Sequence, residues 1–178
     1  MKTLLIAQKL ITPTAEILFL PGGGAKGAAA IVPLIAGKNE EPPCVVLDSD
    51  GPGIEVAKKL RSGPIYAGSA GKKIINVGDL LKEIEKAEVE DLIPHDLFVD
   101  VVNRLYRGED EDFADVARKG QAIIPQIEAY AQNHSLELVD GWKVDLARAV
   151  KARMLMKSKE IPKESLAIWT KLFVPFSA

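Results

Sequence analysis

Apolar positions change their spacing along this chain, from short runs bounded by glycine and proline to stripes at helical intervals. Glu16 to Leu20 reads as a first strand, stopped at Pro21-Gly22-Gly23-Gly24, and an alanine-rich helix around Pro33 follows from Lys26 to Ala36. Cys44 to Leu47 is a second, β-branched strand. Gly51-Pro52-Gly53 turns the chain into an amphipathic helix from Ile54 to Leu60. Lys73 to Val77 gives a third strand and Asp79 to Ala87 the helix after it. Beyond residue 90 the pattern is helical. Leu97, Phe98, Val101, Val102 and Leu105 form one stripe, and further helices are expected at Phe113 to Lys119, Pro125 to Asn133, Val144 to Lys157 and Lys163 to Phe173. Leu136 to Val139 reads as a short edge strand.

Strand and helix alternating at this spacing predict an α/β fold, a parallel sheet flanked by helices, with a helical C-terminal part. The expected division is a lead-in over 1–15, an α/β core over 16–94 and a helical extension over 95–178 packed on that core. No apolar run approaches the ~20 residues of a membrane span. The opening Met1-Lys2-Thr3-Leu4-Leu5-Ile6-Ala7 is broken by Gln8 and Lys9 too early for a leader, so a cytoplasmic protein is expected. Cys44 is the single cysteine, which excludes an internal disulfide and a thiolate zinc cluster, and it reads as a core side chain. His95 and His134 are too few for a histidine-rich metal site.

The net charge of −2 is unevenly spread. Asp79 to Asp115 holds 13 acids against 4 bases, whereas Gly141 to Ala178 holds 8 bases against 3 acids. A basic C-terminal segment suits a phosphate backbone, although solvated helix faces carry such charge as well.

The candidate chemistry centres on Leu47-Asp48-Ser49-Asp50. Residues two apart on a strand share a face, so Asp48 and Asp50 are expected to converge at the carboxyl end of a buried strand, where open parallel sheets bind ligands. Two such carboxylates suit a hard cation, Mg²⁺ or Mn²⁺; the plain alternative is one helix cap and one solvated acid. Gly22, Gly24 and Gly27 meet a G-x-G-x-x-G spacing, and Gly22, Gly23 and Gly24 are candidates for cradling a phosphate. A dinucleotide site would set Asp48 on a ribose, and a ligand-free tight turn also fits.

These parts in this order resemble the Toprim domain, and within it the C-terminal domain of the overcoming-lysogenization-defect (OLD) family of ATP-dependent endonucleases. Val45-Val46-Leu47-Asp48-Ser49-Asp50-Gly51-Pro52-Gly53 carries the resemblance, with Glu88-Val89-Glu90-Asp91-Leu92-Ile93-Pro94 and Lys143-Val144-Asp145-Leu146-Ala147 as later motifs, over roughly residues 16–173. The resemblance implies a Toprim/Rossmann-like sheet and metal-dependent cleavage of DNA. Asp48, Asp50, Glu90 and Asp91 would hold Mg²⁺ or Mn²⁺. Asp48, Asp50, Glu90 and Lys143 would be catalytic, with Lys143 on the scissile phosphate. An ATPase domain outside this chain would be a partner, and a homo-oligomer is compatible with the family. One departure matters: the slots where the family places its first acids fall on Pro21 and Ala25, neither of which can ligate a metal. A weakened nuclease, a degenerate domain for nucleic-acid binding or assembly, and a nucleotide binder using the Gly22–Gly27 loop are the three expectations.

Overall fold

The computed structural model describes residues 18–37 and 41–173, together with Lys9. Its order is α1 (Ala25–Ala36), β1 (Val45–Leu47), α2 (Gly51–Ser62), β2 (Ile74–Asn76), α3 (Val77–Leu80), α4 (His95–Leu105), α5 (Phe113–Val116), α6 (Ile123–Asn133), α7 (Trp142–Met156) and α8 (Lys163–Phe173). Short 3₁₀ turns stand at Pro64–Tyr66, Gly68–Lys73, Val89–Leu92 and Ser158–Glu160. The chain is therefore mixed α/β and mostly helical. Its one sheet among the described residues is β1 paired in parallel with β2, Val45 opposite Ile74 and Leu47 opposite Asn76.

Period-2 alternation on these two short strands organises the interior. Val45, Leu47 and Ile74 bury into a smaller cluster with Val32 of α1, Ala57 of α2 and Tyr66. Ile75 of β2 belongs instead to a larger cluster, which gathers Val77, Leu81, Phe98, Ile124, Leu146 and Trp169, and Val46 of β1 packs against it. The sheet is a thin wall between two hydrophobic cores. α1 and α2 build one of them, and the helices after residue 90 dominate the other.

The helix after β1 is set by its own first turn. Asp50 accepts the Gly53 N–H at 2.7 Å, Pro52 sits inside the first turn, and Lys59 and Arg61 stand in the last. Gly53 is required by packing, since a Cβ there would lie 2.1 Å from the Asp48 carbonyl oxygen. At the far end Arg61 donates to the Ile74 carbonyl at 2.8 Å, closing a hydrogen-bonding position of β2.

Three expected elements are corrected. Leu18 to Leu20 is exposed and not in a strand, and Glu16 and Ile17 lie outside the described residues, as does the 1–15 lead-in apart from Lys9. The helix expected over Asp79 to Ala87 is only the four-residue α3. After it the chain turns through Lys86 at φ 56°, burying Ala87 completely, and the Ala87 carbonyl accepts from Ser49 N–H at 2.8 Å. Docking against the end of β1 outweighs the helical preference of Leu81 to Glu85. Leu136 to Val139 is not a strand: Leu136 N–H closes the end of α6 on the Ala131 carbonyl, after Ser135 at φ 52°. α5 also stops early, at Val116, because the Arg118 N–H is taken by Gln126 of α6 at 2.6 Å.

Candidate functional site

The carboxyl end of β1 is a convergence point. Asp48 Oδ1 accepts the Val89 N–H at 2.8 Å, bringing a turn 41 residues away onto the first acid of the Asp-x-Asp pair. Ser49 Oγ accepts from Gly78 N–H at 2.6 Å, and Asn76 lies against the Asp48 carbonyl at 3.4 Å. Residues 48–49, 76–78 and 87–89 thus meet outside the ends of both strands.

Four acids gather there, Asp48 with Glu88, Glu90 and Asp91, and Lys143 reaches them from the start of α7. Burial pushes the Glu88 carboxyl above its ordinary 4.5; the Lys143 charge draws it back, while Glu90, Asp48 and Asp91 raise it further. Burial also raises Glu90, opposed by its own backbone N–H, with Asp48 adding to the rise and Lys143 opposing it. Lys143 Nζ lies 3.7 Å from Glu128 and 5.6 Å above the centre of the Trp142 ring, which fixes its direction.

The expected site residues separate into two sets. Asp48, Glu90, Asp91 and Lys143 come together from three distant segments. Asp50 instead spends Oδ1 on the α2 cap. Asp91 is structural in its contacts: Oδ2 accepts from Glu88 N–H and Oδ1 from Ile123 N–H, both at 2.8 Å, tying this turn to α6. Burial raises its carboxyl above the ordinary 3.8, and those two bonds offset part of the rise. Glu88 is a member of the cluster that the motif reading passed over. It alternates with Glu90 about Val89, and its side chain accepts the Asp91 N–H in a reciprocal capping box.

The oxygen-only donors suit a hard cation. Asp48 Oδ2 has no protein hydrogen bond among the described residues, and its charge helps to raise the Glu90 carboxyl. No group of three or more acid, His or Cys side chains is at metal-holding spacing among the described residues.

The glycine loop stands apart. Gly23 (φ 64°) and Gly24 (φ 88°) lie in the left-handed region, and a Cβ on Gly27 would collide with the Gly22 carbonyl oxygen at 1.7 Å. The loop is a tight entry into α1, and Ala25 packs on the smaller core. Pro21 precedes it, exposed. The basic segment is also partly committed, since Arg153, with a side chain only 16% exposed, pairs with Asp100, and Arg148 pairs with Asp145.

No family model, no curated protein and no solved structure matches this chain. Among the described residues no helix is long and apolar enough to cross a membrane.

Proposed function

We propose that this chain is a Toprim-like domain that binds DNA at the carboxyl ends of β1 and β2 and cleaves it weakly with a divalent ion. The observation that carries the reading is the meeting of Asp48, the Glu88–Asp91 turn and Lys143, three segments that the Toprim resemblance joins and nothing in their local sequence requires. Asp48 and Glu90 would hold Mg²⁺ or Mn²⁺, with water and a substrate phosphate completing the shell. The ion would supply charge for the phosphoryl oxygens and an activated water. Lys143, whose charge is felt at Glu88 and Glu90, would meet a phosphate there. Asp50 serves the site by anchoring α2 directly behind Asp48. The protein is read as cytoplasmic, with an ATPase on another chain or segment as partner and a homo-oligomer as its working form.

Binding without efficient turnover is the second reading, favoured by Pro21 and Ala25 in the family's acid slots and by the two hydrogen bonds that occupy Asp91. For a nucleotide-binding role of Gly22, Gly23 and Gly24, the described residues that lead into that loop, Leu18 to Leu20, are not in a strand.

Metal-dependent stabilisation tests the site. Mn²⁺ should raise Tm by mass action, and Asp48→Asn combined with Glu90→Gln should abolish the rise. Supercoiled plasmid should be nicked slowly, faster with Mn²⁺ than with Mg²⁺. An undiminished Tm rise in the double variant would refute the assignment. Absence of nicking alongside intact DNA binding would select the second reading.

A further inference from the structure

A groove of about 770 Å³ is lined by the first turns of α4 and α8 and by the loop after α3. Its volume falls in the ~300–1,000 Å³ range of clefts that hold a ligand. The floor is apolar and open: Ile84, Ile93, Leu97 and Ile168 pack on the larger core yet keep part of their surface in solvent. The rim is acidic, with seven carboxylates lining the groove against two lysines. Of those lysines, Lys157 is already paired with Glu160 at 3.0 Å. Glu83 and Glu164 are exposed and have no ion-pair partner among the described residues, and the Asp96 side chain is 90% exposed. Asp96 and Glu164 stand in the first turns of their helices, where they complement the helix dipole. A helix start carries only ~0.5 of a positive charge, so a full carboxylate charge at each still leaves the rim negative. Glu83 belongs to a turn and offsets no helix of its own.

Such a rim repels phosphate, so the groove is no part of a nucleic-acid path. An apolar floor under an acidic rim is complementary to long basic side chains, which lay their methylene stems on apolar surface and keep their charged heads in water. We propose that this groove docks a basic amphipathic segment of a partner protein. Its apolar side chains rest on Ile84, Ile93, Leu97 and Ile168, and its lysines or arginines face Glu83, Asp96 and Glu164. A helix lying in a groove presents its anchors at i, i+3, i+4 and i+7, which leaves the positions between them free to carry the cations that meet the rim. Glu90 lines the groove and belongs to the acid cluster as well, so the docked segment lies next to that cluster. The docking itself requires neither an ion nor DNA.

The test uses the full chain without divalent metal or nucleic acid, so its outcome is separate from that of the nuclease reading. Fluorescence polarisation follows a labelled peptide made of three leucine-lysine-lysine-leucine repeats, beside a second peptide with serine in place of every leucine. The leucine peptide should bind about tenfold more tightly, the scale of burying one aliphatic side chain. Glu83→Gln combined with Glu164→Gln should weaken the leucine peptide about fivefold. Glu109→Gln combined with Asp110→Asn, an equal charge change on exposed acids outside the groove, should leave it unchanged. Ile84→Ser should weaken the leucine peptide and spare the serine one, a difference that a general loss of stability would not produce. Equal affinity for the two peptides, or equal losses in the two charge variants, overturns the proposal. Light scattering covers the other occupant. If the chain self-associates and the variant carrying Glu83→Gln and Glu164→Gln stays monomeric, a second copy fills the groove and the assignment to a partner protein fails.

Discussion

At the residue scale, the acids of the cluster divide by what their oxygens touch. Asp91 is saturated by two backbone N–H groups, so Asp91→Ala should cost roughly 2–4 kcal/mol by orphaning both donors, measured by urea denaturation. A loss below half a kcal/mol would mean that the turn does not depend on those bonds. Glu88 and Glu90 are raised as Asp91 is, because burial first, and then the charges of neighbouring carboxylates, hold them above 4.5 in the folded chain. A raised carboxyl means that the folded state binds more protons than the unfolded one, from pH 4.5 up to the raised value. Stability should therefore fall as pH rises through that window and stay lowered above it. Glu90→Gln removes the titration, so its Tm at pH 7 should exceed that of the parent protein and its pH profile should be flatter. A variant that melts lower at pH 7 with an unchanged profile would contradict this electrostatic picture.

At the element scale, α2 carries the sharpest separation between a cap and a ligand. Asp50→Ser keeps an oxygen for the Gly53 N–H and removes the carboxylate. Its Tm and the Mn²⁺-induced rise should both stay near those of the parent protein, whereas Asp50→Ala should lose about 1 kcal/mol of stability. A Mn²⁺ response lost in Asp50→Ser would return Asp50 to the ion. Gly53→Ala should cost about 3 kcal/mol, because its Cβ has the Asp48 carbonyl oxygen at 2.1 Å. Much of this was legible from sequence: Asp50 before Gly51-Pro52-Gly53 is a capping pattern, and the stripe at Phe98, Val101 and Val102 marked the buried face of α4. The turn at Lys86 was not legible. Leu81 to Glu85 has helical composition, and only the distant Ser49 N–H, which needs the Ala87 carbonyl, explains why the helix stops. The pairing of Asp48 with Val89 was likewise hidden. Spacing placed Asp48 and Asp50 on one face, but the first turn of α2 claimed Asp50 before any ligand could.

At the scale of the whole molecule, one core spans the sheet end and the helices after residue 94. Ile75, Val77, Leu81, Ala87 and Leu92 share the larger cluster with Phe98, Ile124, Leu146 and Trp169, so the helical part is the second wall of the sheet. The sequence marked a change of period at that point because the strands end there, and periodicity carries no record of which distant face a helix covers. Trp169 shows the dependence most directly: it is fully buried and its Nε1 donates to the Leu92 carbonyl at 2.7 Å, holding α8 against the turn that carries Glu88 and Glu90. A fragment ending at Pro94 would expose that whole face while retaining only the smaller cluster around two three-residue strands, less than an isolated domain needs. It should show a far-ultraviolet spectrum without a cooperative thermal transition, and no Mn²⁺-dependent Tm. The intact chain with Trp169→Phe should still fold but lose about 2 kcal/mol from the unpaired Leu92 carbonyl and the missing ring. Because the loss is felt at the 88–91 turn, the Mn²⁺ response should weaken with it, in contrast to an equally destabilising change in the smaller core such as Ala57→Gly. A cooperative transition in the fragment, or equal Mn²⁺ responses in those two variants, would show that the site is built by the sheet and α2 without the C-terminal helices.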